Sequence, residues 1–357
     1  MKKIKLSSGI FVINLFTIFV LISCKKETPF SINITNGALI ANEGNYGKSN
    51  ASVSYLNFAN NSIVNDIFTK VNDRSLGDEL QSICIDSSYV FLVVNSSNKI
   101  EVVSRKNFNE VSTIDGVGSP RYMTTRNGKG YVTCWADSSL KVLDLTSMSI
   151  TKSIRLGAGP EKMLIHGNFI YVANGGMYGI DSTISVINLT SETVTNTIVV
   201  GFNPKDIKLD KNSDLWVLCY GKEVYDASNK LIDSSACELV RININSLEVE
   251  HRVTISNSEH AMILEISPDN SLLYFGGGYS FGGIYTLNVA QTENTPTKIC
   301  EDYAYGFNVN PNNGEVYVTI TPTYTDAGIL RRYDEQGNLL GTYEAGIIPS
   351  STAFINN

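Results

Sequence analysis

Aromatic, amide and charged side chains recur in this sequence just before or just after short apolar segments, where they could contact a ligand. Tyrosine and tryptophan rings supply contact area at little entropic cost, and neighbouring amides and charges orient what they hold. Such a set predicts a surface that binds a small molecule or, as an alternative, a protein-interaction scaffold. Its members are Asn42, Glu43, Tyr46, Asp78, Gln81, Arg121, Tyr122, Trp135, Lys162, Asn174, Tyr178, Lys205, Tyr225, His260, Tyr279, Phe281, Tyr305 and Tyr324.

Groupings typical of enzymes are poorly represented. Of the three histidines, only His260 belongs to this set, and a lyase or hydrolase that uses His260 as acid or base is the alternative we keep. Cysteine and histidine do not occur at zinc-binding spacings. We therefore expect no enzymatic activity, no cofactor and no bound metal.

The composition is that of a folded, strand-rich chain. Of 357 residues, 43% are hydrophobic and only 18% are charged, which provides enough apolar material for a core. The 18 tyrosines and 28 glycines favour strands and turns. The formal net charge of -7 argues against a nucleic-acid partner.

The N-terminus has the pattern of an export signal. Lys2, Lys3 and Lys5 precede an apolar run over residues 10–22, which is shorter than the ~20 residues that a membrane-spanning helix needs. Leu-Ile-Ser-Cys at 21–24 follows and resembles a bacterial lipobox; the alternative is an ordinary signal peptide with a chance cysteine. We predict a lipoprotein signal peptide over 1–23, lipidation of Cys24 and a tether over 24–36. The residues after Cys24 indicate the outer membrane, with exposure at the cell surface.

A repeat organises the chain after this segment. Pro120, Pro160 and Pro204 are 40 and 44 residues apart, and Pro349 stands in a further copy. Each proline begins a short apolar segment, followed by a polar turn and a segment with Tyr or Trp, which predicts consecutive antiparallel strands. Four strands in ~45 residues is the length of one propeller blade.

Counting such units predicts how the ring closes. Six complete blades fit between residues 80 and 346. A seventh combines 351–355 with strands over 38–42, 52–56 and 63–68, so that the two chain ends share one blade and leave no open edge. The sequence therefore predicts an all-β fold, a seven-bladed β-propeller over residues 37–357.

Parts of the repeat resemble known propeller families. Tyr-Val-Thr at 131–133 and Tyr-Val-Ala-Asn at 171–174 are similar to motifs of YVTN-type surface β-propellers. Asn-Glu-Gly-Asn-Tyr-Gly at 42–47 and Leu-Gly-Asp-Glu-Leu-Gln at 76–81, with the lipobox, resemble a lipoprotein propeller family of Bacteroidetes. That resemblance implies a surface lipoprotein that captures a corrinoid such as vitamin B12 (cobalamin) and passes it to a TonB-dependent outer-membrane transporter.

The candidate residues belong to one face of such a propeller. Loops from the second to the third strand of a blade, and from the fourth strand to the next blade, open on the same face. The turns of the opposite face are short and polar, with Phe108 as their one prominent aromatic. We expect the ligand over the central axis on the first face, which we call the binding face.

Two cysteines flank the longest loop of the binding face. Cys219 ends one predicted strand and Cys237 begins the next. In an exported protein these positions predict a disulfide, and two free thiols are the alternative.

Overall fold

The computed structural model describes residues 30–177, 179–290 and 295–355. The chain divides into two units, Met1–Phe30 and Ser31–Asn357. The predicted signal peptide (1–23) and lipidation site Cys24 lie outside the described residues, as does Tyr178. Within the described part of the chain, no helix is both long enough and apolar enough to span a membrane.

Among its described residues, the second unit is built on seven four-stranded antiparallel sheets. We number them as blades, and blade 1 begins with β1 (Gly37–Asn42), β2 (Ser52–Asn57) and β3 (Ser62–Val64), followed by helix α1 (Ile67–Asn72). Blade 2 holds β4 (Leu80–Ile85), β5 (Tyr89–Val94), β6 (Lys99–Ser104) and β7 (Glu110–Asp115). Blade 3 holds β8 (Pro120–Arg126), β9 (Lys129–Cys134), β10 (Ser139–Asp144) and β11 (Ser149–Arg155). Blade 4 holds β12 (Pro160–His166), β13 (Phe169–Asn174), β14 (Thr183–Asn188) and β15 (Thr193–Val199).

The remaining blades follow the same plan. Blade 5 consists of β16 (Pro204–Leu209), β17 (Asp214–Cys219), β20 (Cys237–Asn243) and β21 (Val249–Ser256), with a separate hairpin of β18 (Glu223–Tyr225) and β19 (Leu231–Ser234) inside one loop. Blade 6 holds β22 (Ile263–Ile266), β23 (Leu272–Gly276), β24 (Ile284–Asn288) and β25 (Thr297–Cys300). Blade 7 holds β26 (Gly306–Val309), β27 (Val316–Ile320), β28 (Ala327–Tyr333) and β29 (Leu339–Ile347). The last strand, β30 (Pro349–Ile355), returns to blade 1.

The first strands form a ring around the axis. β4, β8, β12, β16, β22, β26 and β30 each contact the next in this order, and β30 contacts β4. The second strands are almost wholly buried: β9 and β17 each place five of their six residues in the interior. Apolar residues from neighbouring blades pack together, so the core lies between the sheets rather than along the axis.

Blade 1 closes the ring with both chain ends, which confirms the predicted fold. β1 pairs antiparallel with β30, with Gly37 opposite Ile355 and Ala41 opposite Ser351. This pairing replaces the covalent continuity that the other blades have, and it gives blade 1 its innermost strand.

The outer part of blade 1 differs from the expectation of a strand over 63–68. β3 ends at Val64, and α1 begins after Asp66, whose φ of 55° is left-handed and cannot continue a strand. Ile67 and Phe68 are fully buried in the helix. The apolar residues at 67–68 correctly predicted a buried segment, but they did not distinguish a short helix from a strand.

The predicted disulfide is not formed, because the two cysteines lie on opposite faces of blade 5. Cys219 pairs with Glu238, so the adjacent Cys237 points to the other side of the sheet. Cys219 packs with residues of blade 4, such as Tyr171, whereas Cys237 packs with Leu264 of blade 6. Both are buried free thiols.

Candidate functional site

An open pocket of about 680 Å³ lies on the binding face, and all seven blades contribute to it. A site shared by every blade must surround the axis, so we call it the axial pocket. Its lining comes from the starts of first strands and from loops after second strands. It includes Glu43, Tyr46, Glu79, Gln81, Asn95, Arg121, Tyr122, Trp135, Glu161, Lys162, Met177, Lys205, Met262, Tyr279, Tyr305, Asn308 and Ser350.

Four polar side chains from consecutive blades form a linked series, which we call the charged ring: Gln81, Arg121, Glu161 and Lys205. Arg121 donates from Nε to Glu161 Oε2 at 3.1 Å, and it also donates to Gln81. Lys205 Nζ donates to Glu161 Oε1 at 3.2 Å. Glu161 therefore accepts from two cations, and its side chain is only 4% exposed.

The repeat places these groups together. Arg121, Glu161 and Lys205 each follow the proline that opens the first strand of their blade, so they occupy equivalent positions around the axis. Burial opposes the charge of Arg121 and is the largest single influence on its pKa, but the Glu161 carboxylate, together with Tyr122 and Glu43, leaves that pKa raised. The ring is thus a pre-formed network whose charges hold one another in place.

A second ion pair lies one residue further along the same strands. Lys162 Nζ is 2.5 Å from Asp206 Oδ2, which also accepts from the backbone N–H of Leu264 at 3.1 Å. Burial lowers the pKa of Lys162, but the negative charges of Asp206 and Glu265 leave it raised. Lys162 is therefore a fixed ammonium on the wall of the axial pocket.

Aromatic side chains form the opposite wall. Tyr305 packs edge-to-face against Tyr279 and Tyr324, with ring centroids 5.7 and 6.4 Å away. Its hydroxyl donates to Glu43 Oε2 at 2.8 Å. The hydroxyls of Tyr279 and Tyr305 are 3.4 Å apart, and Tyr279 is the donor, because Tyr305 uses its one hydrogen on Glu43.

The Glu43 carboxyl lies where this aromatic wall meets the charged groups. Burial raises its pKa above the ordinary value, and the hydrogen bond from Tyr305 and the charge of Arg121 only partly offset that. Burial also raises the pKa of Tyr305, which stays neutral. Glu43 is therefore a carboxyl that can exchange a proton closer to neutral pH than an exposed glutamate.

The structure brings most of the sequence-predicted residues together. Those that line the axial pocket are Glu43, Tyr46, Gln81, Arg121, Tyr122, Trp135, Lys162, Lys205, Tyr279 and Tyr305. Tyr324 contacts Tyr305 and is 54% exposed, so it stands at the rim. Tyr225 belongs to the exposed β18–β19 hairpin and does not line the pocket.

Phe281 and His260 are buried elsewhere, which corrects their assignment to the site. Phe281 is 4% exposed and packs edge-on against Phe275 in the core of blade 6. His260 is 2% exposed, stacks on Tyr220 at 4.6 Å, and its Nδ1 bonds the Tyr220 carbonyl. The hypothesis of a lyase or hydrolase based on His260 therefore lacks an accessible residue.

Three further polar residues hold the framework rather than line the pocket. The Asn42 amide donates to Ser52 at 3.1 Å and to Ser54 at 2.9 Å. The Asn174 amide likewise donates to its strand partner Thr183 at 2.8 Å. Asp78 accepts from the backbone N–H of Gly47 at 2.5 Å, which fixes the loop that carries Tyr46.

The ligand set predicted from the sequence omits several lining residues. Glu161 links Arg121 to Lys205 in the charged ring. It follows Pro160 just as Arg121 follows Pro120, and this equivalence was a usable signal. Glu79 and Ser350 likewise flank the starts of first strands. Met262 also directly precedes a first strand and Met177 lies in the loop after β13, but the prediction considered only aromatic, amide and charged side chains. Among the described residues, no three His, Cys, Asp or Glu side chains are grouped closely enough to hold a metal ion.

Several solved structures share this fold, among them proteins named after the gluconolactonases. A Bacteroides fragilis protein named after the 6-phosphogluconolactonases is 13% identical, with a TM-score of 0.67 over 90% of this chain and 98% of that one. The periplasmic gluconolactonase of Pseudomonas aeruginosa is 12% identical, with a TM-score of 0.65 over 89% and 99%. A quinonprotein alcohol dehydrogenase-like protein of Bacteroides thetaiotaomicron is 17% identical, with a TM-score of 0.65 over 90% and 79%.

These likenesses establish the fold, and they correct one expectation. The lack of catalytic motifs led us to exclude an enzyme, but the same architecture occurs in a protein named as a gluconolactonase. The exclusion was therefore wrong, since a propeller needs no recognisable sequence motif to be a hydrolase.

Comparison by sequence identifies a family without naming an activity. No curated protein matches significantly. The model of one family, described as a domain of unknown function (DUF5074), matches residues 36–347. The chain therefore belongs to the DUF5074 family.

Proposed function

We propose that the axial pocket binds a small-molecule nutrient. One observation carries this proposal: all seven blades converge on a single open pocket with a charged ring on one side and tyrosines on the other. Convergent polar groups beside an aromatic wall are the usual make-up of a small-molecule site. Since the charges are already paired with one another, the pocket suits a ligand that offers amides, hydroxyls and flat apolar surface.

A corrinoid such as cobalamin is our best candidate for that ligand. It is a flat macrocycle with apolar edges and many amide groups, and it is larger than the pocket. Part of it would enter the pocket, and the rest would lie against the exposed rim residues Tyr46, Tyr279 and Tyr324, which are 78%, 65% and 54% exposed. The sequence resemblance to the B12-capturing lipoproteins supports the same choice.

We further propose that the protein is anchored in the outer membrane through Cys24, faces the cell exterior and delivers its ligand to a TonB-dependent transporter. The β18–β19 hairpin rises from a loop of the binding face and exposes Tyr225 and Ile232, at 51% and 60%. Apolar side chains exposed next to a ligand site suit contact with a partner protein.

Isothermal titration of the full-length chain against a nutrient panel that includes cyanocobalamin tests the binding proposal. We expect saturable binding of one ligand per chain. Absence of saturable binding by any corrinoid would reject this ligand class. Co-purification of a TonB-dependent transporter from outer membranes tests delivery, and Tyr225→Ser with Ile232→Ser should weaken that association without changing ligand affinity.

Hydrolysis in the same pocket is the second candidate function. It is supported by the gluconolactonase name of one structural neighbour and by the Glu43 carboxyl, whose raised pKa suits proton transfer. Release of acid from small lactones, followed at constant pH, tests it.

A further inference from the structure

Glu43 and Tyr305 form a pair that the capture of a ligand does not require. A carboxyl that only oriented a bound nutrient would be served by an exposed, freely ionised group. Glu43 instead lies half-buried, accepts from Tyr305 at 2.8 Å, and through Tyr305 it is linked to the Tyr279 hydroxyl. This chain of donors leads from solvent to a carboxyl at the pocket wall, since Tyr279 is 65% exposed.

The cation whose charge acts on Glu43 is Arg121, and its guanidinium is held by other side chains. Arg121 is close enough for its charge to act on the Glu43 carboxyl. In the described part of the chain, however, Arg121 is ion-paired with Glu161 and stacks over Trp135, with its guanidinium carbon 3.9 Å from the ring centroid. A carboxyl and a guanidinium thus both line the axial pocket without neutralising each other directly.

We propose that Glu43 is the catalytic acid–base of a hydrolase that opens a neutral cyclic ester in the axial pocket, with Arg121 stabilising the oxyanion and Tyr305 as positioning residue. The inference rests on the second candidate function and assigns its residues. Neutral substrates fit best, because Arg121, Lys162 and Lys205 are paired with carboxylates, and Glu43 and Glu79 would repel an anion.

The reaction consumes only water. The oxygen of a water molecule bonds to the ester carbonyl carbon while Glu43 takes one of that water's protons, and the carbonyl electron pair moves to oxygen beside Arg121. The carbonyl then re-forms as the ring C–O bond breaks. Glu43 returns its proton to the leaving alkoxide, which gives the open hydroxy acid and restores the carboxylate.

The test measures hydrolysis of glucono-δ-lactone and other neutral lactones by the full-length chain at constant pH, beside the buffer-only rate. We expect wild-type turnover, a loss of about 100-fold or more in kcat/KM for Glu43→Gln, and no change for the exposed Glu259→Gln. Absence of lactone turnover by the wild-type chain, or full turnover by a folded Glu43→Gln, would overturn the inference.

Tyr305→Phe provides a readout that a purely structural role would not give. The Tyr305 hydrogen bond lowers the pKa of Glu43, so its loss should move the acidic limb of the kcat/KM profile to higher pH. Tyr303→Phe, at an exposed tyrosine that does not line the pocket, should leave the profile unchanged. An unshifted limb in Tyr305→Phe would contradict the assignment. Cyanocobalamin titration of the same variants tests the capture proposal separately. Binding that persists without lactone hydrolysis would reject the hydrolase assignment and leave the capture proposal standing.

Discussion

The guanidinium of Arg121 lies over the indole ring of Trp135, with its central carbon 3.9 Å from the ring centroid. The stacking fixes the plane of the guanidinium, and its edge is then held by Glu161. Trp135 and Arg121 come from neighbouring parts of blade 3, whereas Glu161 belongs to blade 4. The aromatic lining and the charged ring are thus one structure that joins two blades at the pocket.

Glu161→Gln should destabilise the propeller. The substitution keeps the size of the side chain but removes the charge that pairs with both Arg121 and Lys205, whose side chains are each 15% exposed. We expect a loss of roughly 1–3 kcal/mol in the free energy of unfolding, measured by urea denaturation. Stability equal to that of the wild type would mean that the charged ring is not held together by Glu161.

The repeat explains how much of this ring could be predicted. The prolines marked the first strands, so Arg121, Lys162 and Lys205 were assigned correctly to one rim of the propeller. Asn42 and Asn174 were assigned wrongly, because a residue at a strand end points either to the pocket or into the blade. Asn42 points inward and the adjacent Glu43 points to the pocket, and no sequence period distinguishes neighbours at the last position of a strand.

Irregular segments account for the other differences. Phe108 lies in the β6–β7 turn of the opposite face, as expected, but it is fully buried there and its φ is 59°. His260 lies in the connection before β22, outside any repeat, and the stacking on Tyr220 that buries it depends on residues 40 positions apart. Contacts of this kind depend on loop conformation, which composition and spacing do not specify.

Gly306→Ala should destabilise the closure of the ring. A Cβ at Gly306 would lie 1.8 Å from the Ser350 carbonyl oxygen, so β26 and β30 would have to move apart. We expect a loss of about 1–3 kcal/mol, seen as a lower Tm. Gly282→Ala is the matched control, since the nearest atom to its Cβ would be 3.7 Å away. An equal Tm for the two variants would contradict the close packing of blades 7 and 1.

Glu101→Gln should reduce stability in a pH-dependent way. Burial raises the pKa of Glu101, but hydrogen bonds from Arg74, Lys99 and Thr113 outweigh burial and hold this pKa below its ordinary value of 4.5. Ionised Glu101 therefore stabilises the fold above the unfolded pKa, and the contribution is lost as the pH falls through the folded pKa. We expect the variant to be about 1–3 kcal/mol less stable at pH 7, allowing for the partial exposure of Arg74.

Urea denaturation of both proteins from pH 7 to pH 3 checks this behaviour. The difference between wild type and Glu101→Gln should shrink as the pH falls below about 4.5. A constant difference across this range would show that the ionisation of Glu101 does not contribute.

The thiols of Cys219 and Cys237 should be free of any disulfide and unreactive while the protein is folded. Burial raises the pKa of Cys237 to about 12 and also raises that of Cys219, so neither forms a reactive thiolate in the folded protein. We expect no alkylation of these two residues by iodoacetamide at pH 8 in the native state, and complete alkylation after unfolding without reductant. Residues that become reactive only after reduction would indicate a disulfide instead.

The central claim is that the axial pocket holds the ligand, and paired pocket and control variants test it most directly. Cyanocobalamin affinity is measured by isothermal titration for Trp135→Ala, Tyr279→Ala and the control Val111→Ala, which alters a 47% exposed residue on the outermost strand of blade 2. We predict that each pocket variant loses about 1–3 kcal/mol of binding free energy, while Val111→Ala binds as the wild type does. Wild-type affinity in both pocket variants would contradict the account.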